Sequence, residues 1–418
     1  MHLKGCSVYQ EGAFVPADVL ISDGVVFRIL PPNSAVQGVP VFEFHHCLLL
    51  PGLIDVHVHL RDPGFSFKET MKTGTLAAAK GGYTTVCPMP NLNPVPDSPE
   101  HLNLELERIW EDAVIRVLPY AAITVGEKGE TLADLESMAT KCFAFSDDGK
   151  GVQSEDMMRM AMKRAMALGK TIVAHCEDES LLRGGYIHDG KYAREHGHKG
   201  ICSESEWKQV ERDVRLAAET GCKYHVCHVS TKESVEIIRK AKAAGANVSC
   251  ETAPHYLLLT EDDLQEDGRF KMNPPIREKA DRDALIEGLL DGTVDMIATD
   301  HAPHTKEEKS KGLAGSLMGV VGLETALAVL HTGLVKTGKV PMETLVDRMT
   351  TAPAKRFGLE CGIYEGARAD LCVFDPNEEW TVDPEQFASM GRATPFAGSH
   401  VTGRVKMTIC GGEIVWKD

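Results

Sequence analysis

Between residues 51 and 358 the chain alternates short apolar runs with helical patterns, and no other feature of the sequence limits the fold as much. Eight runs read as buried strands: 53–59, 84–88, 114–118, 142–146, 171–175, 223–228, 247–251 and 295–299. Helical periodicity fills most of the gaps, at 154–168, 203–220 and 232–244, and 281–290 supplies the weakest of these connections. The flanks differ. Residues 17–30 read as a hairpin about Ser22-Asp23-Gly24, and 369–374, 405–409 and 413–416 repeat that β-rich texture. Neither flank has enough strands for a stable sheet of its own. The sequence therefore predicts an α/β protein with a (β/α)8 TIM-like barrel at 51–358. A small composite β domain beside it is formed by both chain ends, 1–50 with 359–418.

Chemistry gathers where the strands end, which in such a barrel is the active-site mouth. The first strand closes on Leu53-Ile-Asp-Val-His-Val-His-Leu-Arg61. Alternation along a strand puts His57 and His59 on one face, a ready half of a metal site. The later ends read Pro88-Met-Pro-Asn91, Ser146-Asp-Asp-Gly149, Ala174-His-Cys-Glu177, Val226-Cys-His-Val229, Glu251-Thr-Ala-Pro-His255 and Ala298-Thr-Asp-His-Ala-Pro-His304. A lone histidine at a strand end is more often a hydrogen-bonded core residue than a ligand. Four at equivalent places, His57, His59, His175 and His228, with Asp300 and either Asp147 or Asp148, point instead to one metal centre. Six such ligands exceed one tetrahedral ion and suit two, with a bridging carboxylate and a bridging hydroxide. Imidazole with carboxylate suits Zn2+, and manganese or cobalt can substitute. Asp300 then serves as ligand and as the base that moves a proton from water to a leaving nitrogen.

Composition narrows the setting. A net charge of -16 argues against nonspecific nucleic-acid binding. The twelve cysteines form no C-x-x-C pair and read as reduced, buried thiols, with Cys87, Cys176 and Cys227 as core fillers near the mouth. No signal-peptide pattern or membrane-length apolar stretch is present in the sequence, so a cytoplasmic location is expected. His45, His46, His196 and His198 read as surface residues, His255 as a supporting one, and Gly149 and Gly151 as turn residues.

His57-Val-His-Leu-Arg61, Asp62-Pro-Gly64, Lys68-Glu-Thr70, Pro88-Met-Pro-Asn91, Asn273-Pro-Pro-Ile-Arg277 and Thr299-Asp-His-Ala-Pro-His304 together resemble bacterial type I dihydroorotases of the amidohydrolase superfamily. The resemblance spans nearly the whole chain. It implies that His57, His59 and Asp300 bind one metal, that His175 and His228 bind a second, and that Asp148 bridges them. His59, Arg61, Asn91, Asn273 and His304 match substrate-binding positions. The segment 312–324 matches one that closes over substrate through backbone groups, here at Met318 and Gly319. Relatives often carry Pro-Phe-Gly where this chain has Leu317-Met-Gly319. The implied reaction is the interconversion of dihydroorotate and N-carbamoyl-L-aspartate in pyrimidine biosynthesis, by a homodimer that takes a small-molecule substrate and neither nucleic acid nor membrane.

Chemical sense supports those positions. Arg61 lies two residues past His59, where a guanidinium can hold a carboxylate in a two-pronged pair. Asn91 and Asn273 can supply amide donors to the same anion. The rival readings are a hydantoinase or allantoinase, which commonly bridge metals with a carbamylated lysine, and a catalytically silent homologue acting as a partner protein.

Overall fold

The computed structural model describes all 418 residues. The middle of the chain closes into the expected barrel. Its strands are Leu53–Val58, Tyr83–Pro88, Arg116–Val117 continued by Ala121–Ala122, Phe145–Ser146, Thr171–Ala174, Lys223–Val226, Val248–Thr252 and Met296–Ile297. Neighbours pair in parallel. Closure comes where Val58 bridges His301 and the His59 N–H donates to the His301 carbonyl at 2.8 Å. Amphipathic helices cover the outside. In Glu155–Ala167, Met157, Met158, Ala161, Met162 and Ala165 bury one face at helical spacing, and the Ser154 side chain caps the helix by accepting from the Met157 N–H.

The third strand departs from the expectation of one run at 114–118. Arg116–Val117 pairs with the second strand, but it is Ala121–Ala122 that pairs with the fourth. Pro119 has no N–H for the ladder, which interrupts the regular strand there, but both neighbours hold the segment: the Tyr120 N–H donates to the Pro88 carbonyl at 3.1 Å and the Pro119 carbonyl accepts from the Phe143 N–H at 2.7 Å.

Both chain ends form one eight-stranded sheet. Its order is Glu413–Lys417, His400–Cys410, Leu371–Thr381, Leu48–Pro51, His2–Gln10, Ala13–Ser22 and Val25–Leu30, with Val41–Glu43 also on His2–Gln10. Leu48–Pro51 is the join, parallel to His2–Gln10 and antiparallel to Leu371–Thr381. The expected boundary after residue 50 thus falls inside this strand. It runs through Gly52 straight into the barrel, where an added Cβ would lie 2.1 Å from the Thr84 hydroxyl oxygen. Fifteen buried side chains, among them Leu3, Val19, Leu49, Leu371 and Ile409, give the sheet a core of its own.

The C-terminal part is not all sheet. Between its second- and third-last strands the chain returns to the barrel, where the Ser389 hydroxyl and the Met390 N–H donate to buried Glu69. No helix is long and apolar enough to cross a membrane.

Candidate active site

The barrel mouth opens into a cleft of about 630 Å3 lined by His59, Arg61, Asn91, Asp148, His175, His228, Asn273, Asp300, His304, Met318 and Gly319 among others, with no lysine. His57 lies beneath it, fully buried. The Asp300 Oδ1 is 3.1 Å from His59 Nε2 and 3.5 Å from His57 Nε2. Asp148 stands between two groups: its Oδ1 is 3.4 Å from His57 Nε2, and 3.9 Å from both His175 Nδ1 and His228 Nε2. The last two nitrogens are 2.9 Å apart. All six side chains singled out from the strand ends therefore share one cluster.

Asp147 is outside it. Its Oδ1 accepts from the Ile123 and Thr124 N–H groups at 2.8 and 3.0 Å, and its Oδ2 takes the Thr124 hydroxyl. Both oxygens are spent on holding the end of the broken third strand. Adjacent residues point to opposite sides here, so Asp148 faces the histidines.

Hydrogen bonds behind the cluster decide what its front can do. The His57 Nδ1 is 2.7 Å from Glu251, whose other oxygen is 3.0 Å from His225 Nε2. A carboxylate only accepts, so His57 carries its hydrogen on Nδ1 and turns a lone pair on Nε2 toward Asp148. The His59 Nδ1 is likewise 2.9 Å from the Asn91 Oδ1, and the Asn91 Nδ2 is 3.4 Å from Asp148. Lone pairs thus face carboxylate oxygens, and His57 Nε2 and Asp148 Oδ1 are buried with no hydrogen-bond partner. Acceptors converging in a buried place require a cation. On their own the side chains would draw a proton: burial opposes it, but Asp148, Cys227 and Glu251 push the His57 pKa well up. A divalent ion answers the same need, and imidazole with carboxylate is a donor set that fits one.

Backbone strain marks the same residues. Arg61, His228 and Asp300 have φ of 62°, 33° and 48°, each costing on the order of 1–3 kcal/mol. Their neighbours hold them there. Asp55 accepts from the His57 N–H at 3.0 Å and from the Thr299 N–H and hydroxyl at 3.0 and 2.6 Å, tying the first strand to the last. Glu206 accepts from the Ser230 and Thr231 N–H groups just past His228.

The cleft also holds a fixed cation. Arg61 is buried, with its Nε donating to the Pro303 carbonyl at 3.2 Å. Burial lowers its pKa only to about 10, so it stays charged.

A family model described as "Dihydro-orotase-like" matches residues 46–234, and one described as "Amidohydrolase family" matches 225–416. The dihydroorotase of Bacillus caldolyticus is 52% identical over 417 residues, covering 99% of this chain and 98% of its own. The chain belongs to the dihydroorotase family. The dihydroorotase of Geobacillus thermodenitrificans is 53% identical over 422 residues, covering 100% and 99%. Among solved structures, the L-hydantoinase (dihydropyrimidinase) of Arthrobacter aurescens superposes with a TM-score of 0.89 at 27% identity, covering 100% of this chain and 96% of its own. The dihydropyrimidinase of Brevibacillus agri gives 0.87 at 26%, covering 100% and 95%. Dihydroorotase relatives at full length and hydantoinases in structure place the chain in the amidohydrolase superfamily with the barrel and β domain described above.

Within this dihydroorotase fold, two asparagines line the cleft and bond to its side chains. Asn91 spends its amide on His59 and Asp148. The Asn273 Nδ2 lies 3.0 and 3.1 Å from the two oxygens of Glu177, which can only accept. Glu251, Glu177 and Lys68 were given no role of their own from the sequence. Glu251 and Glu177 lie in the quoted strand-end segments, where acidic residues were the available signal, and Lys68 lies in the quoted Lys68-Glu-Thr70 motif. His255 is buried beside Tyr256, with burial lowering its pKa to about 4, and its Nε2 has no partner. His45 and His196 are exposed, and His198 pairs with Glu266 at the surface at 2.6 Å.

Proposed function

We propose that the protein is a dihydroorotase, reversibly hydrolysing dihydroorotate to N-carbamoyl-L-aspartate in pyrimidine biosynthesis. The observation that carries this reading is a buried, charged Arg61 set beside a cluster of four histidines and two aspartates. A cyclic amide that carries a carboxylate needs both parts of that arrangement, and full-length identity with dihydroorotases supports the same reading.

His57, His59 and Asp300 would hold one divalent ion and His175 and His228 a second, with Asp148 shared; Zn2+ suits these donors. Bound there, such ions acidify water and polarise a carbonyl. Arg61 holds the substrate carboxylate, aided by His304, while Asn91 keeps His59 in its tautomer. Met318 and Gly319 present backbone groups to the ring. Asp300 takes the proton from the attacking water and delivers it to the ring nitrogen as the amide bond opens. Its Oδ1 lies 3.1 Å from His59 Nε2 and 3.5 Å from His57 Nε2, where the first ion would sit, so the carboxylate is beside the water that such an ion would acidify.

Hydantoinase-like structures share the scaffold, so one assay decides between them: purified protein with dihydroorotate, hydantoin, allantoin and dihydrouracil. Turnover of dihydroorotate alone is expected. Preference for an uncharged ring would overturn the proposal.

The shared carboxylate makes a separate prediction. Asp148 needs no carbamylation, so metal uptake by apoprotein is expected to run equally with and without bicarbonate. In a competition titration against a chromophoric chelator, Asp148→Ala should lose affinity for both ions. Asp147→Ala should lose at most the roughly 10–100-fold typical of a supporting residue. A carbamylated lysine in the holoenzyme, or equal losses in the two variants, would contradict the assignment.

A further inference from the structure

His304 sits between two groups that together allow only one state of its ring. Its Nε2 is 2.7 Å from the Met318 carbonyl, which can only accept, so that nitrogen carries a hydrogen. Its Nδ1 is 3.2 Å from the Lys68 ammonium, which can only donate, so that nitrogen offers a lone pair. Glu308 balances the ammonium, with its Oε1 2.9 Å from Lys68 Nζ. Its Oε2 approaches His304 Nδ1 only to 3.5 Å and instead accepts from the Thr305 N–H at 3.0 Å. On the other side the Arg61 Nη2 is 3.5 Å from Nε2, which disfavours a second cation.

We propose that Lys68 is a positioning residue that fixes His304 as the neutral tautomer with its hydrogen on Nε2, so that the histidine can exchange its bond to the Met318 carbonyl for one to the substrate carboxylate, as an uncharged donor beside Arg61. This rests on the reading of the ligand as a carboxylate-bearing ring. The charged groups facing His304 are Arg61 and Lys68 from the loop after the first strand, and Glu308 and Lys309 from the helix Lys306–Lys309. Burial, with Arg61, Lys68 and Lys309, lowers the His304 pKa to about 3, in keeping with a ring that stays neutral. Without Lys68 two of these influences reverse. A positive charge is removed, and Glu308 is left without its cation 3.5 Å from Nδ1, so the ring gains a proton as pH falls. At higher pH only the Met318 carbonyl still favours a hydrogen on Nε2, and Glu308 competes for it at Nδ1, leaving Nε2 to offer a carboxylate a lone pair in part of the molecules.

The test uses metal-loaded protein labelled with 15N-histidine. The parent is expected to show an Nε2–H tautomer at His304, assigned by its loss in His304→Gln, with no titration between pH 6 and 9. In Lys68→Met the same ring should titrate within that window. The KM for dihydroorotate, relative to the parent, should rise with pH by roughly 10- to 100-fold, the weight of one hydrogen bond to a charged group. The kcat ratio should stay flat, and Lys68→Arg should restore the parent pattern. An Nδ1–H tautomer or an imidazolium in the parent overturns the proposal, with no variant needed. An unchanged ring and a flat KM ratio in a folded Lys68→Met do so as well. Failure of the parent to turn over dihydroorotate strikes the functional reading instead, because the ring spectrum is read without substrate.

Discussion

Asp300→Asn is expected to abolish nearly all turnover of dihydroorotate while leaving the fold intact. Loss of a general base or acid is typically worth ~10²–10⁴-fold, and a weakened metal ligand adds to this. Asparagine keeps the size of the side chain, so the strained backbone at φ 48° and the Thr299–Asp55 bonds that hold it have no reason to move. What changes is the chemistry of one atom. The Oδ1 that lies 3.1 Å from His59 and 3.5 Å from His57 loses its charge and can no longer take a proton. Steady-state rates with metal content measured on the same sample check this. A fully metallated variant with near-normal kcat would remove Asp300 from the proton path.

Arg61→Met should erase most of the preference for dihydroorotate over dihydrouracil, which lacks the carboxylate. Removing one partner of a desolvated charge pair costs about 2–5 kcal/mol. Methionine fills similar space in the buried position, so packing is largely kept, although the bond from Nε to the Pro303 carbonyl is lost. The ratio of kcat/KM for the two rings cancels that structural loss, because both substrates meet the same altered cleft. An unchanged ratio would place the carboxylate elsewhere and leave Arg61 a structural role.

The parts of this molecule that were legible in the sequence are those whose cause is local. Alternation placed His57 and His59 on one face, and strand ends in register brought His175, His228 and Asp300 to the same mouth. The barrel and the two-ended β domain followed from runs of apolar residues and from flanks too poor in strands to stand alone. Contacts between distant segments left no such trace. Glu251 lies 194 residues from the His57 ring it orients, and Lys68 lies 236 residues from His304. Asp147 and Asp148 were inseparable by spacing because the reason they differ is Thr124, a partner on the neighbouring strand. The third strand extends past the expected run because Pro119 interrupts its ladder, which resumes at Ala121–Ala122. Nothing in the segment around Asn273 announces its contact with Glu177.

The sheet built from both ends has a consequence for the order in which the molecule is made. Leu48–Pro51 needs Leu371–Thr381 as a neighbour, and that strand leaves the ribosome some 320 residues later. At roughly 5–20 residues per second this is a wait of tens of seconds. During that time His2–Gln10, Ala13–Ser22 and Val25–Leu30 can pair among themselves, but one edge of the sheet stays open to any other chain. The barrel can meanwhile assemble from segments that arrive in order. Completion of the β sheet then follows assembly of the barrel, and a nascent chain stalled before residue 371 would be the form most exposed to aggregation.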